Sequence, residues 1–340
     1  MPSNVLLIYT GGTIGMIKDL KTKSLKPFDL ETLLSSISEL SLLNCNIDMC
    51  TVSTPIDSSN INLNYWVEIA EIIENSYAKF DGFVILHGTD TMSYTASALS
   101  FMLENISKPV IFTGSQLPIG DLRTDAKENL ITSIQIAALK EAETAVIQEV
   151  CLYFEYKLYR ANRTTKVSAK HFNAYDSLNH PHLIESGVGL DINYPYLFRP
   201  KKTPFKVHKS LDFNIAVIKL YPEINTSVIQ RIFETPNLKA VIIETYGSGN
   251  AMTTQVFLNM LNQNIKKGIH VINVTQCYRG EVAMGLYETS FELKRIGVIS
   301  GKDMTTEAAI AKTAYLLGKG ISKEKFKLIY ETPIRGEMAS

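Results

Sequence analysis

Several things are scarce in this 340-residue chain, and each scarcity removes a class of function. It has four cysteines, Cys45, Cys50, Cys151 and Cys277, with no C-x-x-C pair among them. That pattern is neither a disulfide framework nor a zinc site, and it fits reduced thiols of the cytosol. No apolar run approaches the roughly 20 residues that cross a bilayer. There is no surplus of charge either: Lys+Arg and Asp+Glu are both 34, a formal net charge of zero. Nothing therefore steers the chain toward nucleic acid or an anionic membrane. No basic n-region with a following apolar segment precedes the first strand, so no secretory signal is expected and a cytoplasmic location is. Short-period repeats and low-complexity tracts are missing. The glycine-rich turn Gly11-Gly12-Thr13-Ile14-Gly15 lacks G-x-G-x-x-G spacing, and no Gly-Lys-Ser/Thr follows it. That excludes the dinucleotide fingerprint and the phosphate-binding P-loop.

What is present is an alternation of strand and helix patterns. Apolar content of 45% and charged content of 20% describe an ordinary globular protein, and the length suffices for two domains. In the first half, apolar runs predict strands at 4–9, 82–87, 110–113 and 145–154. Amphipathic spacing predicts helices at 28–43, 63–76, 91–103 and 125–143, the last with Asp125 as its cap. The polar stretch 18–27 reads as a loop or flap. The second half predicts strands at 214–220, 240–245 and 269–274, and helices at 226–234, 255–263 and 305–317. Between them, 191–210 carries Pro195, Pro200 and Pro204 and reads as a connection. The expected organisation is an N-terminal domain over 1–188, a linker over 189–211 and a C-terminal α/β domain over 212–340. Both domains are expected to be α/β, with parallel sheets covered on both faces.

Two threonine turns, each closing an apolar run, carry the chemistry: Thr10-Gly11-Gly12-Thr13 and His87-Gly88-Thr89-Asp90-Thr91. Ligands of open α/β sheets bind beyond the carboxyl ends of the strands, where both turns fall. Each has a structural reading as well, since glycine and threonine also build tight turns and caps. Asp90 beside a hydroxyl can grip a substrate ammonium, or it can be a favourable first-turn acid. His87 reads as a core histidine. In Arg163-Thr164-Thr165-Lys166, Lys166 is either solvated or a buried amine able to accept a proton from Thr89. Asp57-Ser58-Ser59-Asn60 offers hydroxyls and amides for a small carboxylate, or simply a capped turn. Tyr246-Gly247-Ser248-Gly249-Asn250 is a glycine turn that can deliver Asn250 to a site.

Taken together, TGGTIGM at 10–16, HGTDT at 87–91 and RTTK at 163–166 resemble the bacterial L-asparaginases of the asparaginase/glutaminase family. Residues 82–105, 108–116, 159–166 and 246–250 are similar to its type I, cytoplasmic branch, and the resemblance runs nearly end to end. It implies a two-domain asparaginase-like fold, with a larger, mostly parallel N-terminal domain and a smaller parallel C-terminal one. It also implies hydrolysis of L-asparagine to L-aspartate and ammonia without metal or cofactor, and a homotetramer built from intimate dimers. By the same resemblance Thr13 is the nucleophile, and Thr89, polarised by Lys166, is the second catalytic threonine. Asp90 receives the α-ammonium, Asp57, Ser58 and Ser59 hold the α-carboxylate, and Gly88 and Thr89 lie where an oxyanion would form. Asn250 is offered to a neighbouring subunit's site, with Glu281 and Glu288 as other contributors.

This chain departs from the pattern twice. The family places a tyrosine on the flap soon after the first threonine; here Leu25 stands there, and no tyrosine occurs between Tyr9 and Tyr65. Either a distant tyrosine substitutes or Thr13 is activated differently. Some type I enzymes also respond cooperatively to asparagine through an arginine before the Tyr-Gly-x-Gly-Asn turn. Glu244 stands there instead, although Cys277 is retained, so weakened or absent activation is expected. Two other functions share the core. One is an amidotransferase subunit supplying ammonia for tRNA-dependent amidation, whose N-terminal extension and RNA partner are not expected here. The other is a catalytically silent asparagine-binding protein, favoured only by the missing tyrosine. Glutamine is expected to be a poorer substrate than asparagine.

Overall fold

The protein is described by a computed structural model covering residues 2–18, 25–27 and 37–339. The chain divides into two compact units, Met1–Lys209 and Ser210–Ser340. The stretch 189–211, expected as a linker, holds strands Leu190–Ile192 and Lys206–Val207. These pair with Ile184–Ser186 and Leu103–Glu104, so the first unit runs on to Lys209.

The first unit is built on one eight-stranded sheet. Its spatial order is Leu190–Ile192, Ile184–Ser186, Lys157–Arg160, Val150–Phe154, Val110–Thr113, Gly82–Leu86, Ser3–Tyr9 and Cys45–Thr51. The last five run parallel, and the first three attach antiparallel. Central strands buried on both faces read as unbroken apolar runs, which is why 4–9 and 82–87 were legible. Val5, Leu7 and Tyr9 point to one core with Val84, Leu86 and Leu130, while Leu6, Ile8, Phe83 and Ile85 are buried on the other face. Each such side chain contributes about 1.5–3 kcal/mol over exposure. The register that places the turns is set by Tyr9 opposite Leu86 and Thr51.

Several boundaries differ from expectation. Helix Ala126–Ala137 ends well before residue 143. The carbonyl of Ala138, where this helix closes, accepts from Ser3 Oγ at 2.9 Å, and the chain then turns through Ala142 and Glu143 at positive φ into a short hairpin, Lys140–Glu141 with Thr144–Ala145. The strand expected from 145 therefore starts at Val150. Of the helix expected at 28–43, residues 28–36 lie outside the described residues, and Ser38–Leu42 forms a 3₁₀ helix. Part of the 18–27 flap also lies outside them; its described ends, Met16–Lys18 and Leu25–Pro27, pair antiparallel.

The second unit is a four-stranded parallel sheet, Ile215–Lys219, Ala240–Thr245, His270–Thr275 and Ile299–Ser300. Helices Thr226–Phe233, Gln255–Lys267 and Thr306–Gly318 follow the expected pattern, while Glu288–Arg295 and Lys323–Tyr330 were not foreseen. Both of the latter are short and half polar, so their periodicity is faint. Among the described residues, no helix is long and apolar enough to cross a membrane.

Candidate active site

Three turns meet at the carboxyl ends of the adjacent parallel strands Cys45–Thr51, Ser3–Tyr9 and Gly82–Leu86. Glycine makes the meeting possible. Gly12 has φ +89, and a Cβ on it would lie 2.5 Å from Gly88 Cα. A Cβ on Gly88 would lie 2.6 Å from Ser58 Oγ. A larger residue at either position forces the turns apart. Thr91 Oγ1 also donates to the Ser58 carbonyl at 2.7 Å, tying the serine turn to the aspartate turn. Thr13, Ser58, Thr89 and Asp90 therefore belong to one cluster of turns, with Thr13 opening a short 3₁₀ helix, Thr13–Gly15.

Thr89 is the most tightly bonded of these residues. Lys166 Nζ donates to Thr89 Oγ1 at 2.9 Å and to Asp90 Oδ1 at 2.7 Å. The Thr89 hydroxyl in turn donates to Gln116 Oε1 at 3.2 Å, and Gln116 Nε2 donates to the His171 carbonyl at 3.1 Å. This second bond fixes which end of the amide faces Thr89. Tyr175 completes the set by donating its hydroxyl to the Thr89 carbonyl. The lysine was expected either solvated or buried. Its side chain is 19% exposed and that of Asp90 64%, so the pair stands at the surface of the cluster rather than inside it.

Asp57 Oδ1 accepts from both the amide and the hydroxyl of Ser59, each at 2.8 Å. These bonds hold the Asp57 carboxyl below its usual range. The capped-turn reading of 57–60 is thus visible in the structure, and Ser58 is buried beneath it. Asp125, expected to cap its own helix, does something else. Its carboxylate accepts from the amides of Gln116 and Leu117 at 2.9 and 3.1 Å, while Thr124 Oγ1 caps Ala126 at 3.0 Å. Asp125 therefore fixes the loop that presents Gln116.

His87 is a buried core residue, as expected, but it is not fully satisfied, since its buried Nε2 has no hydrogen-bond partner among the described residues. Its Nδ1 donates to the Gly88 carbonyl at 2.7 Å, and burial lowers its pKa to about 4. Tyr9 is buried, with its pKa raised by desolvation, and its hydroxyl lies under the first threonine turn: a Cβ on Gly15 would sit 2.2 Å from it. Asn250 lies in the second unit, on the turn closed by the Tyr246–Asn250 bridge, and its Oδ1 accepts from Thr289 Oγ1 at 2.8 Å. Glu281 and Glu288 are exposed in the same unit. Among the described residues, no group of three or more His, Cys, Asp or Glu side chains is placed to hold a metal ion.

Gln116 and Tyr175 were not singled out in the sequence. Gln116 had a usable signal, since it follows the strand Val110–Thr113 just as Thr89 follows Gly82–Leu86. Tyr175, one aromatic residue in a polar stretch, had none.

Comparison with known proteins places these turns in context. Residues 4–197 match the description "Asparaginase, N-terminal", and residues 214–329 match "Glutaminase/Asparaginase C-terminal domain". The chain is 41% identical over 337 residues to L-asparaginase 1 of Escherichia coli K12, covering 98% of both proteins. It is 40% identical over 357 residues to the mouse 60 kDa lysophospholipase, covering 98% of this chain but only 62% of the mouse protein. The crystal structure of L-asparaginase I from Vibrio cholerae superposes with a TM-score of 0.91 at 40% identity, each chain covered in full.

Proposed function

The chain belongs to the asparaginase family, and from that premise we propose that it hydrolyses the side-chain amide of L-asparagine, yielding L-aspartate and ammonia. The observation that carries this reading is the bonded group of Lys166, Thr89 and Asp90, held within reach of solvent beside the Thr13 turn. Such a group supplies a hydroxyl, an amine to exchange its proton with, and a carboxylate for the substrate ammonium.

In this mechanism Thr13 Oγ attacks the amide carbon of the substrate. The resulting oxyanion is met by backbone N–H groups near Gly88 and Thr89; losing one such donor typically costs about 100–1000-fold in turnover. Collapse breaks the C–N bond, and the departing nitrogen takes the proton given up by the Thr13 hydroxyl and leaves as ammonia. Water, deprotonated through Thr89 and Lys166, then cleaves the β-aspartyl ester and returns the proton to Thr13. Asp90 receives the α-ammonium and the Asp57-Ser58-Ser59 turn the α-carboxylate, so the short substrate is oriented at both ends. Glutamine, one methylene longer, displaces its amide from Thr13, a discrimination of roughly 1–3 kcal/mol. The working assembly is a cytoplasmic homotetramer in which Asn250 serves a neighbouring subunit's site. No metal or cofactor takes part.

Ammonia release from L-asparagine and L-glutamine by the purified full chain tests this reading, with fatty-acid release from a lysophosphatidylcholine measured beside it. Asparagine is expected to be the best of the three. Thr89→Val is expected to lose about 1000-fold in turnover or more, with an unchanged circular dichroism spectrum and melting temperature. A wild-type protein that binds asparagine and releases no ammonia, or a Thr89→Val protein with full turnover, overturns it.

A further inference from the structure

The hairpin that carries Lys166 touches Thr89 in more than one place, and Tyr175 is common to both sides of that contact. Strand Thr165–Lys166 pairs antiparallel with Tyr175–Asp176, with Lys166 directly opposite Tyr175. The hairpin is closed by the Val167 amide donating to the Ala174 carbonyl at 2.8 Å. The backbone of Tyr175 therefore sits beside the residue whose amine reaches Thr89 Oγ1, while its hydroxyl reaches the Thr89 carbonyl. The ring is buried, edge-on to Phe154 with centroids 5.0 Å apart, so the hydroxyl has little freedom to point elsewhere. At the hairpin's far end the His171 carbonyl holds Gln116, whose amide oxygen accepts a hydrogen bond from the Thr89 hydroxyl.

We propose that Tyr175 is a positioning residue for the reaction, holding Thr89 at the distance at which Lys166 can exchange a proton with it. The proposal rests on the asparaginase reading. His87 and Thr91 tie the residues on either side of Thr89, but the side-chain bonds of Thr89 itself run through Oγ1, the atom that the reaction uses. A bond to the main-chain carbonyl leaves that atom free while keeping its origin in place, which is how a group outside the chemistry preserves reacting geometry. The substrate grips sit on other atoms, at Asp90 and the 57–59 turn, so loss of the hydroxyl falls on the chemical step rather than on binding.

The test compares Tyr175→Phe and Tyr175→Leu with wild type in the full-length protein. Tyr175→Phe keeps the ring against Phe154 and removes only the hydroxyl. Its kcat is expected to fall about fivefold, the scale of one net intramolecular hydrogen bond, with KM within a factor of two and the melting temperature lowered by no more than a few degrees. Tyr175→Leu loses the packing as well and is expected to fall in both kcat and melting temperature. A Tyr175→Phe protein with wild-type kcat, or a KM that rises while kcat holds, overturns the proposal. Amide hydrogen exchange reads the same contact without turnover. In Tyr175→Phe, peptides spanning 87–91 and 165–167 are expected to exchange several-fold faster, with the rest of the first unit unaltered. If wild type releases no ammonia, the asparaginase reading fails, and the exchange result alone decides whether the hydroxyl holds the turn: unchanged exchange overturns it.

Discussion

Lys166 and Lys312, two of the lysines that pair with a carboxylate, differ in almost every other respect. Lys166 meets Asp90 at 2.7 Å with both side chains partly exposed, and its second acceptor is a threonine hydroxyl. Lys312, on helix Thr306–Gly318, meets Glu337 with both side chains fully buried, and its second acceptor is the Thr332 carbonyl at 2.8 Å. Glu337 in turn accepts from the amides of Ile334 and Arg335 at 3.1 and 2.7 Å. Burial pulls the Lys312 amine below the usual lysine range, against the opposing attraction of Glu337. The second pair is a closed clasp holding the C-terminal segment on its helix. The first is open on one side, with a polarisable hydroxyl among its partners. An ion pair by itself therefore says little about function. Accessibility and the chemistry of the third partner separate a site from a fastener.

Crossed substitutions give the largest expected effects and can break this comparison outright. Lys166→Met is expected to reduce turnover about 1000-fold or more while leaving the urea midpoint of unfolding in place, because an exposed pair contributes at most about 1 kcal/mol. Lys312→Met is expected to do the reverse. It strands a buried carboxylate and costs about 3–5 kcal/mol of stability, with kcat per folded molecule unchanged. The checks are urea unfolding and ammonia release on the same preparations. If Lys312→Met lowers kcat in protein that is fully folded, the clasp is part of the catalytic machinery and the distinction fails.

The contrast also shows what was legible in the sequence. Thr13, Thr89 and Asp90 stand at the ends of apolar runs, and a parallel strand makes its carboxyl end predictable, while Ser58 was readable from its polar Asp-Ser-Ser-Asn motif. Lys166 was readable as a candidate from its short polar motif. Lys312 was hidden inside an apolar helix pattern, and its partner lies 25 residues further on in a stretch with no periodicity. Gln116 and Tyr175 escaped for a related reason. Their contacts to Thr89 span 27 and 86 residues, so only the folded sheet brings them together. Asp125 was placed correctly at a helix start, but its carboxylate turned to the Gln116 loop, a choice that local capping rules do not anticipate. The overrun of the 126–137 helix has the same origin, in a tertiary bond from Ser3.

A smaller effect comes from a buried group that stays neutral. Burial lowers the His87 pKa to about 4, against 6.5 for the unfolded chain. Between these values the unfolded state binds a proton that the folded state refuses, so stability falls as pH drops from 6.5 toward 4 and is unaffected above that window. The loss reaches about 3 kcal/mol at most. His87→Gln keeps a donor for the Gly88 carbonyl and removes the titration. Urea unfolding at pH 7 and pH 4.5 is expected to show a smaller difference for the variant than for wild type. Equal differences would mean that His87 is charged in the folded protein. Burial also takes His270, stacked on Phe326 at 3.7 Å, to about 4, so the second unit has an acid-sensitive group of its own.

The smallest effect is on the shape of a curve. Glu244 stands where cooperative type I enzymes are expected to use an arginine for a second asparagine. It is the penultimate residue of the strand Ala240–Thr245, and its Oε1 accepts from Thr306 Oγ1 at 2.7 Å. Like the Lys166–Asp90 pair, this carboxylate has a hydroxyl partner. Unlike that pair, no lysine or arginine forms an ion pair with it among the described residues, so it presents an acceptor and a negative charge where an amino acid's carboxylate would have to dock. The rate of ammonia release is therefore expected to rise hyperbolically with asparagine, with a Hill coefficient near 1 at concentrations well below and above KM. Glu244→Arg supplies the missing cation and is the complementary measurement, because inflection in the variant alone locates the effect at this residue. A clear sigmoid in the wild-type protein would overturn this expectation.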